Sequence, residues 1–428
     1  MKNKFNKIEL LAPAGSLEKL KYAIAYGADA VYCGIPDFSL RVRINHFSEK
    51  DLAKAVEYTH KHKKKIYATL NIYAHNRHLE KIKKHILFLK KIKVDGIIAS
   101  DPGIISLIQK YWSDAEIHLS TQANATNIEA VNFWKKQGIK RIILAREISL
   151  SEIKEIKRKT KNIELEYFIH GAMCMSYSGR CILSKWMTDR SANLGDCSQP
   201  CRWKYYKIPS SNFQVQSESD ILCASVVDDQ KRFEMNVEED KHGTYFFNSY
   251  DMNLIEYIDN LMNAGIISLK IEGRAKSAYY LAIVTRAYRA VIDAIENKLS
   301  KKEVAKIIKA QKKELDNLVH RGYSIGFLLG CEPEHNFENR NNIAKYQFVG
   351  EVEGSEGKFN VLRVHNQVSL GDKLEAIMPE KNIPIEIKRI LDYNKKEVNI
   401  ANGGHKNRYY FEFDQVLEEM SLVRKRVL

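Results

Sequence analysis

One repeating pattern constrains the fold of this chain more than any other feature of its sequence. Through the first 275 residues, a short apolar run rich in β-branched residues is followed by a polar turn and an amphipathic helix. Strands that alternate with helices in this way form βα units around a parallel sheet. Eight strands are predicted, over residues 7–13, 30–34, 65–71, 96–100, 116–121, 141–146, 165–170 and 267–273.

Eight βα units predict an α/β fold of the TIM-like (β/α)8 barrel type. An open, doubly wound parallel sheet is the alternative, although no GxGxxG motif follows any of the strands. The predicted helices lie between the strands and include residues 16–27, 49–62, 127–138, 250–265 and 277–297.

The pattern changes after about residue 335, which predicts a second domain. There, runs of alternating apolar and polar residues are separated by Gly, Asn, Asp and Lys turns, as in a small antiparallel β-barrel. We therefore predict a barrel domain over residues 1–335 and a C-terminal β-barrel domain over residues 336–428. Within the first domain, residues 171–266 form an insertion far longer than an ordinary βα loop.

In a TIM-like barrel the chemistry lies at the carboxyl ends of the strands. The residues at the predicted strand ends are unusually polar, and as a group they resemble the lining of a pocket: Cys33, Asn71, Asp101, Gln122, Arg146, Glu147, His170, Glu272 and Arg274. Taken singly, each also suits a turn or a helix cap. Glu272 and Arg274 also suit a structural ion pair at the barrel rim.

The insertion holds five of the seven cysteines, which is the strongest chemical signal in the chain. Four of them, Cys174, Cys181, Cys197 and Cys201, are separated by six, fifteen and three residues. Thiolates are soft ligands, so zinc or an iron–sulfur cluster is expected. Structural zinc sites favour CxxC pairs, and this chain has none. Four unrelated core cysteines are the alternative.

The charge balance favours an anionic partner. Lys and Arg number 68 against 53 Asp and Glu, which gives a net charge of +15, and RNA is the expected partner. Lysine-rich solvated helices would also explain the surplus. In the insertion, Arg180 and Arg202 alternate with aromatic residues, a composition that suits phosphates and unpaired bases, although such a loop can also pack its own rings.

Other patterns narrow the class of protein. No stretch reaches the roughly 20 apolar residues of a membrane helix, and the first residues lack the apolar region of a signal peptide, so a cytoplasmic protein is expected. The chain has no HExxH, GxSxG or P-loop motif.

Several segments together resemble peptidase family U32, historically called collagenase-like proteases: ELLAPAGSLEKLKYAIAYGADAVYCG, HLSTQAN, EYFIHGAMCMSYSGRCILS and IEGRAKSAYYLAIVTRAYR. The resemblance implies a TIM-like barrel with an appended β-barrel. It is greatest to the tRNA-hydroxylating branch, whose members carry a [4Fe-4S] cluster and support prephenate-dependent formation of 5-hydroxyuridine at the wobble position. Cys174 and Cys181 match the family signature, and Cys197 and Cys201 match cysteines that follow it in that branch.

The resemblance implies a tRNA-modifying enzyme that holds a [4Fe-4S] cluster with Cys174, Cys181, Cys197 and Cys201 and uses prephenate as co-substrate. Cluster-assembly or electron-donor partners are then expected. Phosphate or carboxylate binding is assigned to Arg146, Arg274, Gln122, Arg180 and Arg202. Proton transfer is assigned to His170, Glu147 and Glu272.

Two other functions stay open at this point. One is a U32-type peptidase, in which a cysteine nucleophile would act with His170. The other is a non-catalytic RNA-binding protein whose insertion is stabilised by zinc.

Overall fold

The computed structural model confirms a closed, eight-stranded parallel β/α barrel followed by an antiparallel β half-barrel. It describes residues 7–36, 47–174, 176–177, 181, 183–190, 192–203, 205–207, 222–228, 231, 234–240, 243–244, 250–331, 342 and 344–427. Among these described residues, no helix is both long and apolar enough to cross a membrane.

Eight parallel strands close the barrel, because the last of them pairs with both the first and the seventh. In chain order these strands are β1 (Glu9–Ala14), β2 (Ala30–Gly34), β3 (Lys65–Leu70), β4 (Gly96–Ala99), β5 (Ile117–Leu119), β6 (Arg141–Ile143), β7 (Glu164–Ala172) and β13 (Ser268–Ile271). The outer helices are α1 (Leu17–Ala25), α2 (Glu49–Lys61), α3 (Leu79–Ile92), α4 (Pro102–Tyr111), α5 (Ile128–Lys136), α6 (Leu150–Lys159), α8 (Ile258–Asn263) and α9 (Ala278–Glu296), with α10 (Lys301–Leu315) packed on α9.

Side-chain caps start several of these helices next to the strand ends. Ser48 and Asp51 form a capping box at the start of α2. Asp101 caps α4 by accepting a hydrogen bond from the backbone N–H of Ile104, at 3.0 Å, and Pro102 follows at the first helical position. Asp101, one of the polar strand-end residues, is therefore the cap of its helix.

The prediction of one helix over residues 250–265 is wrong in its first part. Residues Asp251–Asn253 form a strand, β12, and helix α8 begins only at Ile258. Strand β7 runs to Ala172, beyond the barrel, and β12 pairs antiparallel with this extension. A further short strand, β14 (Tyr323–Ser324), pairs with β12. The extended conformation of β12 is imposed by this pairing rather than by its own sequence.

The inserted segment between β7 and β12 contains a short helix, α7 (Leu183–Thr188), and a small antiparallel sheet. The strands of that sheet are β8 (Tyr205–Lys207), β9 (Leu222–Asp228), β10 (Glu234–Asp240) and β11 (Gly243–Thr244). Four of the cysteines in the inserted segment lie before and after helix α7, as set out below.

The C-terminal domain is built from antiparallel strands, the larger sheet having seven of them. The strands are β15 (Tyr346–Glu356), β16 (Phe359–Val364), β17 (Val368–Ser369), β18 (Leu374–Ile377), β19 (Asn382–Ile385), β20 (Ile387–Leu391), β21 (Ile400–Ala401), β22 (Tyr409–Phe413) and β23 (Leu422–Arg426). The predicted boundary at residues 335 and 336 lies outside the described residues.

Polar contacts fix the second domain to the barrel. The hydroxyl of Tyr26, the residue that follows α1, donates to the carbonyl oxygen of Ile377 at 2.8 Å. Arg424 on β23 is 1% exposed, and its guanidinium bonds the carboxylates of Glu314 on α10 and Glu375 on β18. A buried arginine between two carboxylates strongly restricts how the two domains can sit together.

Candidate active site

A cavity of about 640 Å³ opens at the carboxyl ends of the barrel strands. Its lining comes from most of the strand ends and from the insertion, and the polar and thiol-bearing members are Tyr32, Thr69, Asn71, Ser120, Thr121, Gln122, Arg146, Glu147, Cys174, Ser176, Tyr177, Cys181, Cys197, Gln199, Cys201, Lys270, Glu272 and Arg274. The volume lies within the range of small-molecule sites. This is also the end of the barrel at which the sequence predicts the chemistry.

Two arginines in the cavity are held by contacts that leave them suited to binding an anion. The guanidinium of Arg146 lies over the ring of Phe168, with its central carbon 3.8 Å from the ring centroid. One nitrogen of Arg146 lies 3.8 Å from a carboxylate oxygen of Glu272, a long ion pair. Arg274 donates a hydrogen bond to the Thr69 hydroxyl at 2.9 Å. Both arginines thus line the cavity, and Arg146 lies beside the carboxylate of Glu272.

The side wall of the cavity is held by amide contacts. Asn71 donates from its side-chain nitrogen to the side-chain oxygen of Gln122 at 3.1 Å. The Tyr73 hydroxyl donates to the backbone oxygen of Gln122 at 2.8 Å. Gln122 is almost fully buried and lines the cavity, as its predicted position at a strand end requires.

The bottom of the cavity is formed by a buried lysine that the sequence analysis missed. Lys270 is 3% exposed, and its ammonium donates to the carboxylate of Glu166 at 2.8 Å. The same ammonium lies 4.3 Å from the centroid of the Tyr32 ring. Glu166 is fully buried and also pairs with Arg141, at 3.3 Å, deeper in the barrel.

The charges in this part of the barrel affect one another's pKa values. Burial lowers the pKa of Lys270, and the pairing with Glu166 partly opposes that change. Burial alone would raise the pKa of Glu166, but the charges of Lys270 and Arg141 outweigh it, so the pKa of this carboxyl is lowered. Glu166 is therefore held as a carboxylate beneath the cavity.

All four predicted cysteine ligands line this cavity. Cys174 follows the extended end of β7, and a short turn leads from Cys197 into a 3-10 helix at Pro200–Arg202, which contains Cys201. Gln199 in this turn has a left-handed backbone, and its N–H donates to the sulfur of Cys197 at 3.3 Å. The sequence spacing therefore identified thiols that the fold brings to one site.

A serine fixes the cysteine turn against helix α7. The Ser198 backbone N–H donates to the hydroxyl of Ser184 at 2.9 Å, and its own hydroxyl lies 2.9 Å from that of Thr188. The indole N–H of Trp203 donates to the Ser198 carbonyl at 3.3 Å. These bonds anchor the segment between Cys197 and Cys201.

The described residues contain no three His, Cys, Asp or Glu side chains close enough together to hold a single metal ion. A four-iron cluster is larger than one ion, and its ligands stand further apart around it. The thiol donor set suits a cluster of this kind, and the N–H donated to Cys197 is the kind of hydrogen bond that accompanies cluster sulfurs.

His170 is not among the described residues that line the cavity. Its ring is 1% exposed and is surrounded by three tyrosine rings, those of Tyr280, Tyr288 and Tyr323, at centroid distances of 5.4–5.9 Å. Burial lowers the pKa of His170 to about 3. The catalytic assignment of His170 stays a prediction that this placement does not favour.

Glu147 and Glu272 do line the cavity, together with Gln122, Arg146 and Arg274. The position of Arg180 lies outside the described residues, and so does the side chain of Arg202. Cys33 is fully buried in the core, as its position in β2 suggests, and burial raises its pKa to about 12. Cys331 is exposed.

A sequence signal for Lys270 does exist. In the segment ISLKIEG, residues 268, 270 and 272 alternate along β13, so they face the same side of the sheet. Ser268 bonds Glu9 inside the barrel and Glu272 lines the cavity, so Lys270 between them points inward as well. The sequence analysis considered only residues that follow a strand, and it therefore missed Lys270, which lies within β13.

Comparison with known proteins gives matches over nearly the whole chain. The sequence profile described as peptidase family U32 matches residues 15–338, and that of the peptidase family U32 C-terminal domain matches residues 344–424. A relative in Haemophilus influenzae, named "tRNA hydroxylation protein P", is 40% identical over 97% of this chain and 95% of its own length.

Two further relatives have different names. A 23S rRNA 5-hydroxycytidine synthase of Escherichia coli is 37% identical over 68% of this chain and 40% of its own length. A protein of Porphyromonas gingivalis named "Collagenase" is 32% identical over 94% of each chain. The profile matches and these identities confirm the resemblance seen in the sequence, and the chain belongs to peptidase family U32.

Proposed function

We propose that this protein modifies tRNA, by prephenate-dependent 5-hydroxylation of the wobble uridine. Relatives named for tRNA and rRNA hydroxylation support the reaction class. The observation that carries the proposal is the composition of one cavity, in which the four cysteines stand beside Arg146, Arg274 and Glu272. A cytoplasmic location follows from such a substrate and stays a prediction.

In this proposal Cys174, Cys181, Cys197 and Cys201 hold a [4Fe-4S] cluster at the mouth of the cavity. In the structure the first is exposed and the other three are half-buried. When bound, such a cluster would supply iron that can exchange electrons or act as a Lewis acid. The bonds that fix Ser198 would hold two of its ligands in place before it is assembled.

The side chains around the bottom of the cavity suit a small dicarboxylate such as prephenate. Arg146 and Arg274 would each bind a carboxylate, because the guanidinium fork matches carboxylate geometry. The rings of Phe168 and Tyr32 offer apolar surface for the ring of the co-substrate.

An unpaired base would enter from the mouth of the cavity. A wobble uridine is already free of a partner in the anticodon loop, so little unstacking energy is needed. The net charge of +15 favours association with the RNA backbone. Glu147 and Glu272, which line the cavity, would accept or return protons at the reacting base.

The test is nucleoside mass spectrometry of tRNA from a strain that lacks the gene. We expect 5-hydroxyuridine and its derivatives to disappear and to return with the wild-type gene or with Cys331→Ala. The gene for Cys174→Ala should not restore the modification, and the purified Cys174→Ala protein should contain less iron than the wild type. Unchanged tRNA in the deletion strain, with the modification present in its parent, would contradict the proposed substrate.

A peptidase is the second candidate, because one relative is named as a collagenase. The described lining of the cavity contains no histidine that could serve as the base for a cysteine nucleophile. Cleavage of gelatin by the purified protein, lost in Cys174→Ala, would favour the peptidase. Zinc without iron or sulfide in the purified protein would instead favour a non-catalytic RNA-binding protein.

A further inference from the structure

Lys270 is an amine buried at the bottom of the cavity, and binding of a cluster or of RNA does not require it there. Among the described residues that line the cavity it is the only lysine. It lies on β13, the eighth barrel strand, with 3% of its surface exposed. A lysine in such a place is a candidate nucleophile toward carbonyl groups.

The surroundings of the amine provide a proton acceptor. The Lys270 nitrogen donates to the carboxylate of Glu166 at 2.8 Å, so a proton can pass between them without movement of the backbone. Arg141 lies 3.3 Å from the same carboxylate and keeps its negative charge balanced. Burial lowers the pKa of Lys270, which favours loss of the proton.

The same surroundings suit a positively charged product. The Lys270 nitrogen lies 4.3 Å from the centroid of the Tyr32 ring and 5.4 Å from that of Phe168. These ring faces attract a cation. An iminium ion on Lys270 carries its positive charge at the position where the ammonium carried it. The two rings and Glu166, which stabilise the ammonium, would therefore also stabilise the iminium.

Two arginines beside the amine define what else the ligand must carry. Arg146 and Arg274 both line the cavity, and Arg274 lies 5.8 Å from the centroid of the same Tyr32 ring. A ligand that presents a carboxylate to an arginine and a carbonyl carbon to Lys270 is a keto acid. Prephenate, the co-substrate of the proposed function, has a pyruvyl side chain with this arrangement.

We propose that Lys270 condenses with the carbonyl group of a keto acid to form an iminium ion, an inference that rests on the proposed function for the identity of the keto acid. The ammonium first gives a proton to Glu166. The free nitrogen then attacks the carbonyl carbon, and a proton moves from nitrogen to oxygen to give a carbinolamine. Glu166 returns its proton to the departing hydroxyl, which leaves as water. The ammonium and the ketone are thus converted to an iminium and water, with no change of oxidation state.

An iminium at this position withdraws electrons from the neighbouring bonds of the bound acid. Lysine iminium ions serve this purpose in carbonyl chemistry generally. The cavity would therefore activate its small carboxylate covalently, rather than only hold it beside the base.

Reductive trapping tests the proposal without tRNA and without turnover. The purified full-length protein is incubated anaerobically with prephenate, or in parallel with phenylpyruvate, and treated with cyanoborohydride. Tryptic peptides are then analysed by mass spectrometry. We expect a reduced adduct on Lys270, seen as a peptide that is uncut at Lys270 and ends at Arg274. A class I aldolase treated with its substrate serves as the positive control.

Two variants test whether the adduct requires the amine of Lys270 or only its positive charge. Lys270→Arg keeps a cation and should lose the adduct, whereas Lys276→Arg, which changes a lysine outside the described lining, should keep it. Adducts spread evenly over surface lysines, or none while the control aldolase is trapped, would overturn the proposal, and this readout comes from the wild-type protein. Trapping on Lys270 with unchanged tRNA in the deletion strain would support the iminium and contradict only the tRNA substrate.

Discussion

The guanidinium of Arg146 lies over the ring of Phe168, with its central carbon 3.8 Å from the ring centroid. Lysine cannot reproduce this contact, because its ammonium is a point charge without a planar fork. We expect Arg146→Lys to raise the prephenate concentration for half-maximal tRNA hydroxylation about tenfold, or ~1.4 kcal/mol. Arg158→Lys, at an exposed position on α6, should change nothing. If the half-maximal prephenate concentration were the same for both variants, Arg146 would not be part of the co-substrate site.

Gly171 lies near the end of strand β7, just before Cys174, the first of the four cysteines that line the cavity. Its φ is +105°, and a Cβ atom there would lie 2.4 Å from the backbone oxygen of Glu272. We expect Gly171→Ala to lower the free energy of unfolding in urea by about 3 kcal/mol and to reduce bound iron. Gly371→Ala is the matched control, since Gly371 has a φ of +93° and nothing within 4 Å. It should cost only about 1–2 kcal/mol, and a similar loss in both variants would contradict the contact.

The buried ring of His170 predicts a pH dependence of stability. Its pKa is about 3 in the folded protein, below the roughly 6.5 of an unfolded chain. Between those values only the unfolded chain binds this proton, so stability falls as the pH falls, by up to about 1.4 kcal/mol per pH unit.

In His170→Phe this contribution is absent. The difference in unfolding free energy between wild type and variant should therefore shrink by about 2 kcal/mol from pH 6 to pH 4.5. Urea titrations at several pH values measure it, with His75→Phe, an exposed position, as the control. A difference that stays constant with pH would show that His170 is protonated in the folded protein.

Arg424 predicts how strongly the two domains depend on each other. Its guanidinium is 1% exposed between Glu314 and Glu375, whose side chains keep 21% and 24% of their exposure. Arg424→Met removes the cation between the two carboxylates and leaves Glu314 with the longer ion pair to Arg286, at 3.6 Å, so we expect a loss of about 2–4 kcal/mol in urea unfolding. Arg426→Met, exposed on the same strand, should stay within about 0.5 kcal/mol of wild type. Adding Glu314→Gln to Arg424→Met should recover part of the loss.

Replacing a cysteine that lines the cavity should lower the iron content, whereas replacing a cysteine elsewhere should not. Cys181→Ser and Cys197→Ser should each lower iron and acid-labile sulfide, measured on anaerobically purified protein, because each removes one ligand. Cys331→Ser, which changes a thiol that does not line the cavity, should retain both. Full iron in all three variants would exclude a cluster at this site.

The barrel could be predicted because each of its helices and strands carries its own pattern. Strand β2 spans Ala30–Gly34, as predicted, and α9 spans Ala278–Glu296, close to the predicted 277–297. The helix predicted over 250–265 was wrong at its start, since β12 depends on pairing with the end of β7. No local pattern reports a pairing between segments about eighty residues apart.

The site was predictable to the extent that its residues follow strands. Arg146, Glu147 and Glu272 were found in this way, but the same reasoning selected His170, which instead packs among tyrosines from α9 and β14. Lys270 was missed because it lies inside β13. Whether a side chain in a closed barrel points to the cavity or to the helices depends on register, which strand ends alone do not specify.

The charged interior of the barrel also constrains how this sequence can change over time. Glu9, Arg141, Glu166 and Lys270 form a continuous run of ionic contacts between strands that are distant in the sequence. Losing any one of these charges leaves the other three with an unbalanced charge in the barrel interior. Substitutions at these four positions should therefore be accepted in compensating pairs. The residues at these positions on strands β1, β6, β7 and β13 are then expected to covary among related sequences.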